Sequence, residues 1–228
     1  MGKKEIATTL ADIYQALFAC YGPQKWWPAE EPFEVIAGAI LTQSTAWTNV
    51  EKGIANLKKA GALSSRSLRL LSREELAGLI HPCGYYNMKA VKLQAFVKWF
   101  GERFEDSLEK MFAEDTHSLR KELLGVHGIG EETADSILLY AGNKPVFVVD
   151  AYTRRIIDRL GLKPGGNKYA DYRELFTAHL PPDTQMFNEY HALLVALGKY
   201  HCFKSSPACT GCCLKEICSF ICRSDKLS

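Results

Sequence analysis

The sequence predicts an all-α protein. Apolar residues recur at three- and four-residue steps along most of the chain, as in Ile6, Leu10, Ile13 and Leu17. The one stretch with strand-like composition, "PVFVVD" at 145–150, is short and solitary and reads as a buried extended link. The 228 residues suffice for one large domain or two small ones, each with a real core.

The helical pattern can be followed in order. A first helix runs from about Lys4 to Cys20, followed by the Pro-rich connector "YGPQKWWPAEEP". Phe33 to Leu41 is largely apolar, as a buried helix would be, and Val50, Ile54, Leu57 and Leu63 resume the pattern after "TQSTAWTN". Helices are predicted over Arg73–Ile80, Met88–Phe104, Asp106–Phe112, Ser118–Leu124 and Glu131–Ala141, then Ala151–Leu160, Asp171–Leu180 and Met186–Tyr200. No repeat or low-complexity segment is present.

Composition narrows the function classes. With 47% hydrophobic residues, 24% charged and a net charge of +2, the chain reads as a soluble globular protein. That charge permits a nucleic-acid partner without requiring one. No apolar run approaches the roughly 18 residues of a membrane span. Thr8, Thr9, Asp12 and Gln15 interrupt any signal-peptide core, and Ile6 stands where myristoylation needs Ser or Thr. A cytoplasmic location is expected. Cys20 and Cys83 stand alone, while the other six of eight cysteines lie between Cys202 and Cys222. In a reducing compartment such crowding points to metal rather than disulfides.

Two stretches carry candidate chemistry. "LRKELLGVHGIGEETADSILLYAG" reads as helix, hairpin, helix. Gly128 and Gly130 allow a tight turn, and the helix that follows would offer unsatisfied N–H groups to a phosphate. A plain helical hairpin, with Glu131 and Glu132 as first-turn acids, fits the same residues. Asp150, after the run Val146–Val149, is either a helix N-cap or a carboxylate held rigidly for catalysis.

Taken together, "GVHGIGEETADSILLYAGNKPVFVVDAYTRRI" and "FEVIAGAILTQSTAWTNV" resemble the endonuclease III superfamily of helix-hairpin-helix DNA glycosylases. The resemblance spans roughly residues 24 to 220. It implies two helical domains flanking a DNA-binding cleft. One would be a helical barrel, residues 28–144, with the hairpin at about 118–141; the other would join 1–27 to 145–228. It further implies that Asp150 is catalytic, that Gly128 and Gly130 grip a phosphate, and that Gln43 enters the duplex when the base leaves. Lys89, in "GYYNMKA", is expected on phosphate. Bifunctional members carry a lysine where this chain has Glu132. A carboxylate cannot form the Schiff base that strand cleavage needs, so a monofunctional enzyme without efficient lyase action is predicted. Glu131 and Glu132 are expected to face away from DNA.

"WWPAEEPFEVIAGAILTQ" further resembles the 3-methyladenine DNA glycosylase III branch, which implies a base pocket lined by Trp26, Trp27 and Trp47. Electron-rich rings favour a cationic methylated purine by roughly 0.5–2 kcal/mol. Tandem tryptophans as a core plug remain the structural alternative. The expected partner is duplex DNA containing damaged bases, met by a monomer with no membrane contact. The adenine-mismatch branch is disfavoured, because it expects an acid where Gly38 stands. Glycosylases for oxidised or deaminated bases, and a catalytically silent DNA binder, remain rival readings.

Cys202, Cys209, Cys212 and Cys218 follow a C-x6-C-x2-C-x5-C spacing. It resembles the iron–sulfur loop of endonuclease III, here residues 202–218, and implies a structural [4Fe–4S] cluster on these four thiolates, with zinc less favoured. Cys213 and Cys222 are surplus and leave an alternative ligand set open. The 3-methyladenine branch does not generally carry this loop, so the chain combines features of two branches.

Overall fold

The structure, a computed structural model, describes residues 2–27 and 29–221. It is all-α, and no strand occurs among the described residues. The helices are α1 (Lys3–Tyr21), α2 (Pro32–Leu41), α3 (Trp47–Lys59), α4 (Ser65–Leu70), α5 (Arg73–Leu79), α6 (Tyr86–Phe104), α7 (Leu108–Ala113), α8 (Thr116–Gly125), α9 (Glu131–Ser136), α10 (Ala151–Leu160), α11 (Tyr169–Thr177) and α12 (Thr184–Tyr200). By contact density the chain divides into two compact units. One is Trp27–Lys144; the other joins Met1–Trp26 to Pro145–Ser228.

In the Trp27–Lys144 unit, α2 is the central element. Val35 to Leu41 are all buried, so the helix is wrapped on every side, as its uninterrupted apolar sequence requires. It packs against α3, α6 and α9. Gly53 lets α3 approach closely, since a Cβ there would lie 2.4 Å from the Cys83 sulfur. Side-chain caps then set where the shorter helices begin. Ser72 and Glu75 form a reciprocal capping box on α5, and Ser107 and Asp115 cap α7 and α8.

Three differences from the sequence reading have local causes. Helix α4 was not predicted, because Leu68 is its one buried apolar residue; its start is set by the Ser64 cap instead. Helix α7 begins at Leu108 rather than Asp106, because Glu105 and Asp106 take positive φ. The predicted helix Glu131–Ala141 is α-helical only to Ser136. It continues as a π-turn over Ile137–Ala141, with the Gly142 N–H donating to the Ile137 carbonyl at 3.0 Å.

In the other unit, Leu10, Ile13 and Leu17 are fully buried on α1, which packs against α12. The Tyr190 hydroxyl donates to the Leu10 carbonyl at 2.9 Å and ties the two together. Residues 145–149 form a link outside any helix, with Val146 to Val149 buried. Its Phe147 stacks on Phe176 with centroids 3.7 Å apart and meets Phe187 and Tyr190 edge-on. Truncating such a buried ring costs about 3–5 kcal/mol. The link thus delivers Asp150 on a packed base, at the start of α10. That helix ends at Gly161, which takes the left-handed conformation at φ 78°.

Candidate functional site

The Trp27–Lys144 unit holds the hairpin. α8 and α9 are joined by a turn in which Gly128 has φ +85° and Ile129 is buried as an anchor. Gly130 is the N-cap of α9 and offers no side chain, so the first-turn N–H groups are not covered by a cap. The two acids behind the turn are accounted for differently. Arg120 of α8 forks onto the buried Asp135 carboxylate at 2.6 and 3.0 Å, and its Nη2 also reaches Glu131 at 3.5 Å. Glu131 therefore belongs to an intramolecular ion group, and Glu132 is exposed.

Gln43, just beyond α2, is docked on this hairpin. Its amide donates to the Gly128 carbonyl at 3.0 Å and to Thr133 Oγ1 at 2.9 Å, and it accepts from Lys92.

The same unit holds an aromatic group. Trp27 stacks on Tyr140 with centroids 5.0 Å apart and meets Trp47 edge-on at 5.1 Å. Gly38 lies directly beneath. A Cβ there would sit 3.3 Å from Trp27 Cζ2, which explains glycine where an acid would crowd the ring. Trp47 is pinned by its indole N–H, which donates to Glu51 at 2.9 Å. A cavity of about 170 Å³ opens beside the two tryptophans, lined also by Glu34, Glu51, Ile54 and Lys58. About 150 Å³ accommodates an aromatic ring the size of benzene. Lys58 bridges Glu30 at 2.7 Å and Glu34 at 3.0 Å.

Trp26 belongs to the other unit, and its neighbours differ from those of Trp27. Its ring meets His191 edge-on at 6.2 Å, and the Lys199 ammonium lies 5.7 Å from its centroid. Its indole nitrogen is buried without a hydrogen-bond partner. Beside His191 stands Asp150. Oδ1 of this carboxylate accepts from the Thr153 N–H at 2.7 Å and the Thr153 hydroxyl at 2.9 Å, so the N-cap geometry is real. Oδ2 lies 3.7 Å from His191 Nε2. Burial pushes the imidazole below its ordinary pKa, and the Asp150 charge partly offsets that.

Lys89 requires a correction. It is 2% exposed, with its ammonium donating to the Cys83 carbonyl at 2.8 Å, and burial pulls its pKa down. An amine committed inward cannot meet a phosphate.

In the cysteine loop, Arg159 at the end of α10 acts as the anchor. It donates to the Cys202 sulfur at 3.1 Å and to the Phe203 and Lys204 carbonyls, while its own carbonyl accepts from the Cys218 thiol at 3.5 Å. Burial raises the Cys212 pKa, and Cys202, Cys218 and Cys209 raise it further. Cys212 therefore lies within electrostatic reach of the other three thiols of the predicted set. The chemistry of this donor set, four soft sulfurs with a guanidinium donating to that of Cys202, suits a cationic iron–sulfur core. They are not gathered at coordinating distance, and no group of three metal-ligating side chains occurs among the described residues. Cys213 turns elsewhere. Burial and a hydrogen bond with Cys20 push its thiol up to about 12. Cys222 lies outside the described residues.

Tyr140, Glu51, Lys92, Arg120, His191 and Arg159 were not singled out from the sequence. His191 alone had a local signal, as the polar residue heading the apolar run "ALLVALG".

Residues 37–182 match the model of the HhH-GPD superfamily base excision DNA repair proteins. A Methanocaldococcus jannaschii protein, provisionally named a DNA repair glycosylase, is 45% identical over 207 residues, covering 90% of this chain and 94% of its own. Endonuclease III of Thermotoga maritima is 30% identical over 86% of each chain. The crystal structure of H. pylori 3-methyladenine DNA glycosylase bound to 1,N6-ethenoadenine superposes with a TM-score of 0.73 at 29% identity, covering 87% of this chain and 98% of that one. Together, a hairpin-bearing helical fold and this match across more than half the sequence define a base-excision enzyme. The chain belongs to the HhH-GPD superfamily of DNA glycosylases and acts on DNA.

Proposed function

We propose that this chain is a monofunctional DNA glycosylase that hydrolyses the N-glycosidic bond of a flipped, cationic alkylated purine such as 3-methyladenine. The observation that carries the reading is the Trp27–Tyr140–Trp47 aromatic group, with Glu51 holding the Trp47 N–H. Ring faces attract a cation, and a carboxylate accepting an indole N–H makes the ring more electron-rich. The H. pylori structure, bound to a modified adenine, supports a purine in a related site.

The chemistry asked of the protein is modest. As the glycosidic bond breaks, both bonding electrons leave with the base, which departs neutral because it was cationic. Positive charge develops on the deoxyribose, and the Asp150 carboxylate stabilises it, orients the water that adds to the sugar carbon and accepts the proton that water gives up. Thr153 occupies Oδ1, so Oδ2 is the oxygen left for this role. The hairpin N–H groups hold a phosphate, and Gln43 fills the duplex. Lys89 has no part in binding. Glu132, standing where bifunctional relatives have lysine, supports base removal without strand cleavage.

The thiols of Cys202, Cys209, Cys212 and Cys218 would hold the [4Fe–4S] cluster, whose contribution is to cross-link the loop. Arg159 compensates the negative sulfurs.

A second reading, removal of oxidised or deaminated bases, is favoured by the similarity to Thermotoga maritima endonuclease III. The deciding experiment is chromatography of bases released from methylated duplex DNA, with strand nicking measured before and after hot alkali. Release of 3-methyladenine with nicks only after alkali is expected. Nicking without alkali would overturn the monofunctional reading; release only from oxidised or deaminated duplexes would favour the second.

A further inference from the structure

Gln43 is held at both ends of its amide. Nε2 donates to the Gly128 carbonyl at 3.0 Å and to Thr133 Oγ1 at 2.9 Å, and Oε1 accepts from the Lys92 ammonium. An ammonium can only donate and a carbonyl can only accept, so these partners dictate which end of the amide is oxygen. Lys92 also packs against the hairpin. A Cβ on Gly128, which sits at φ +85°, would meet Lys92 Cγ at 2.3 Å. The α6 lysine, the glutamine after α2 and the hairpin turn thus form one packed, hydrogen-bonded group.

We propose that Lys92 is a positioning residue for Gln43, holding its amide in one orientation relative to the hairpin so that it meets the unpaired base in a defined pose. The inference rests on the reading of Gln43 as the side chain that enters the duplex. A glutamine has three rotors and loses roughly 1.5–2 kcal/mol of entropy when fixed. Docking it beforehand on the element that grips the backbone removes that cost from the binding step. Without Lys92 the amide oxygen loses its cationic partner, and the amide is free to turn over. The amine is also committed to Gln43, which makes it a hydrogen-bond donor here and not a second-best nucleophile.

The test compares wild type with Gln43→Ala, Lys92→Met and Lys92→Arg, by single-turnover release of a methylated purine. Substrates are duplexes with each of the four bases opposite the lesion, and the single strand. Gln43→Ala should lower duplex activity relative to single strand. Lys92→Met should reproduce this loss by about tenfold, the scale of one hydrogen bond to a charged group. It should flatten the dependence on the opposite base and leave single-strand release intact, which also shows that the variant folds. Lys92→Arg, still able to donate to the amide oxygen, should recover most of the loss.

Lys92→Met equal to wild type, with Gln43→Ala impaired, would overturn the inference and leave the role of Gln43 standing. Gln43→Ala equal to wild type on duplexes would remove the role of Gln43 and the inference with it. A uniform loss on all substrates, with a log–log salt slope smaller by about one, would assign Lys92 to a backbone phosphate instead. Borohydride trapping of DNA on wild type but not on Lys92→Met would identify the amine as a nucleophile and would likewise overturn it.

Discussion

Asp150 and Thr153 share a cap: one carboxylate oxygen accepts both the N–H and the hydroxyl of Thr153, at 2.7 and 2.9 Å, and the other faces His191 Nε2 at 3.7 Å. The cap uses one oxygen, and the proposed catalytic role falls to the other. This separates chemistry from stability in a useful way. Asparagine caps a helix about as well as aspartate, so Asp150→Asn should leave the melting temperature within a few degrees of wild type. Its amide cannot stabilise a cationic sugar, and base release should fall by at least about 10³-fold with DNA affinity retained. Equal losses of binding and release would mean that the residue is structural only.

His191 predicts a stability change in a defined pH window. Burial lowers the folded-state pKa of this imidazole below its ordinary value near 6.5. Between the two values the unfolded chain binds the extra proton, so stability rises with pH there. Conversely it is lost as pH falls from about 6.5 toward the folded value, by up to about 1.4 kcal/mol per unit. Resolved carboxylate shifts act lower: Asp106, held down chiefly by Arg69 to about 2, contributes stability lost only below its ordinary value of 3.8. Urea midpoints from pH 7 to 5 should therefore decline in wild type and be flatter in His191→Asn. Parallel slopes would place the titrating group elsewhere.

Glu51 predicts discrimination by charge. It fixes Trp47 through the indole N–H and adds negative potential beside the 170 Å³ cavity. Glu51→Gln keeps a hydrogen-bond acceptor and removes the charge. The ratio of kcat/KM for a cationic methylated purine over a neutral damaged base should fall about 2- to 5-fold, as expected for a partly exposed cation–π contribution. An unchanged ratio would leave Glu51 as a support for the Trp47 ring alone.

What could be read from sequence was what is encoded locally. α10 was legible because its periodicity, the Asp150 cap and the Gly161 stop lie within twelve residues. Lys89 misled because its burial depends on the carbonyl of Cys83, across the intervening turn. Trp26 and Trp27 look like one tandem, yet Lys25 and Trp27 both take positive φ and the neighbours of the two rings differ. Tyr140 reaches Trp27 from 113 positions away, by way of a π-turn that periodicity alone cannot register. Lys92 looks like any helix-surface lysine until Gln43 and Gly128 are placed beside it.

The cysteines give a prediction with an internal control. Cys212 and Cys213 are adjacent, but Cys212 feels Cys202, Cys218 and Cys209, whereas Cys213 hydrogen-bonds with Cys20 of α1. A cluster ligand must give up its proton, and replacing its sulfur by oxygen removes a soft donor. Cys212→Ser should therefore lose iron and the broad visible absorbance of an iron–sulfur centre. Cys213→Ser and Cys20→Ser should retain both, since neither sulfur belongs to the proposed set. Because the loop is otherwise tied to α10 mainly through Arg155 and Arg159, loss of iron should also make residues near 202–218 cleavable by protease. Iron retained in Cys212→Ser but lost in Cys213→Ser would move the ligand set by one residue. It would also require the Cys20–Cys213 hydrogen bond to break on loading.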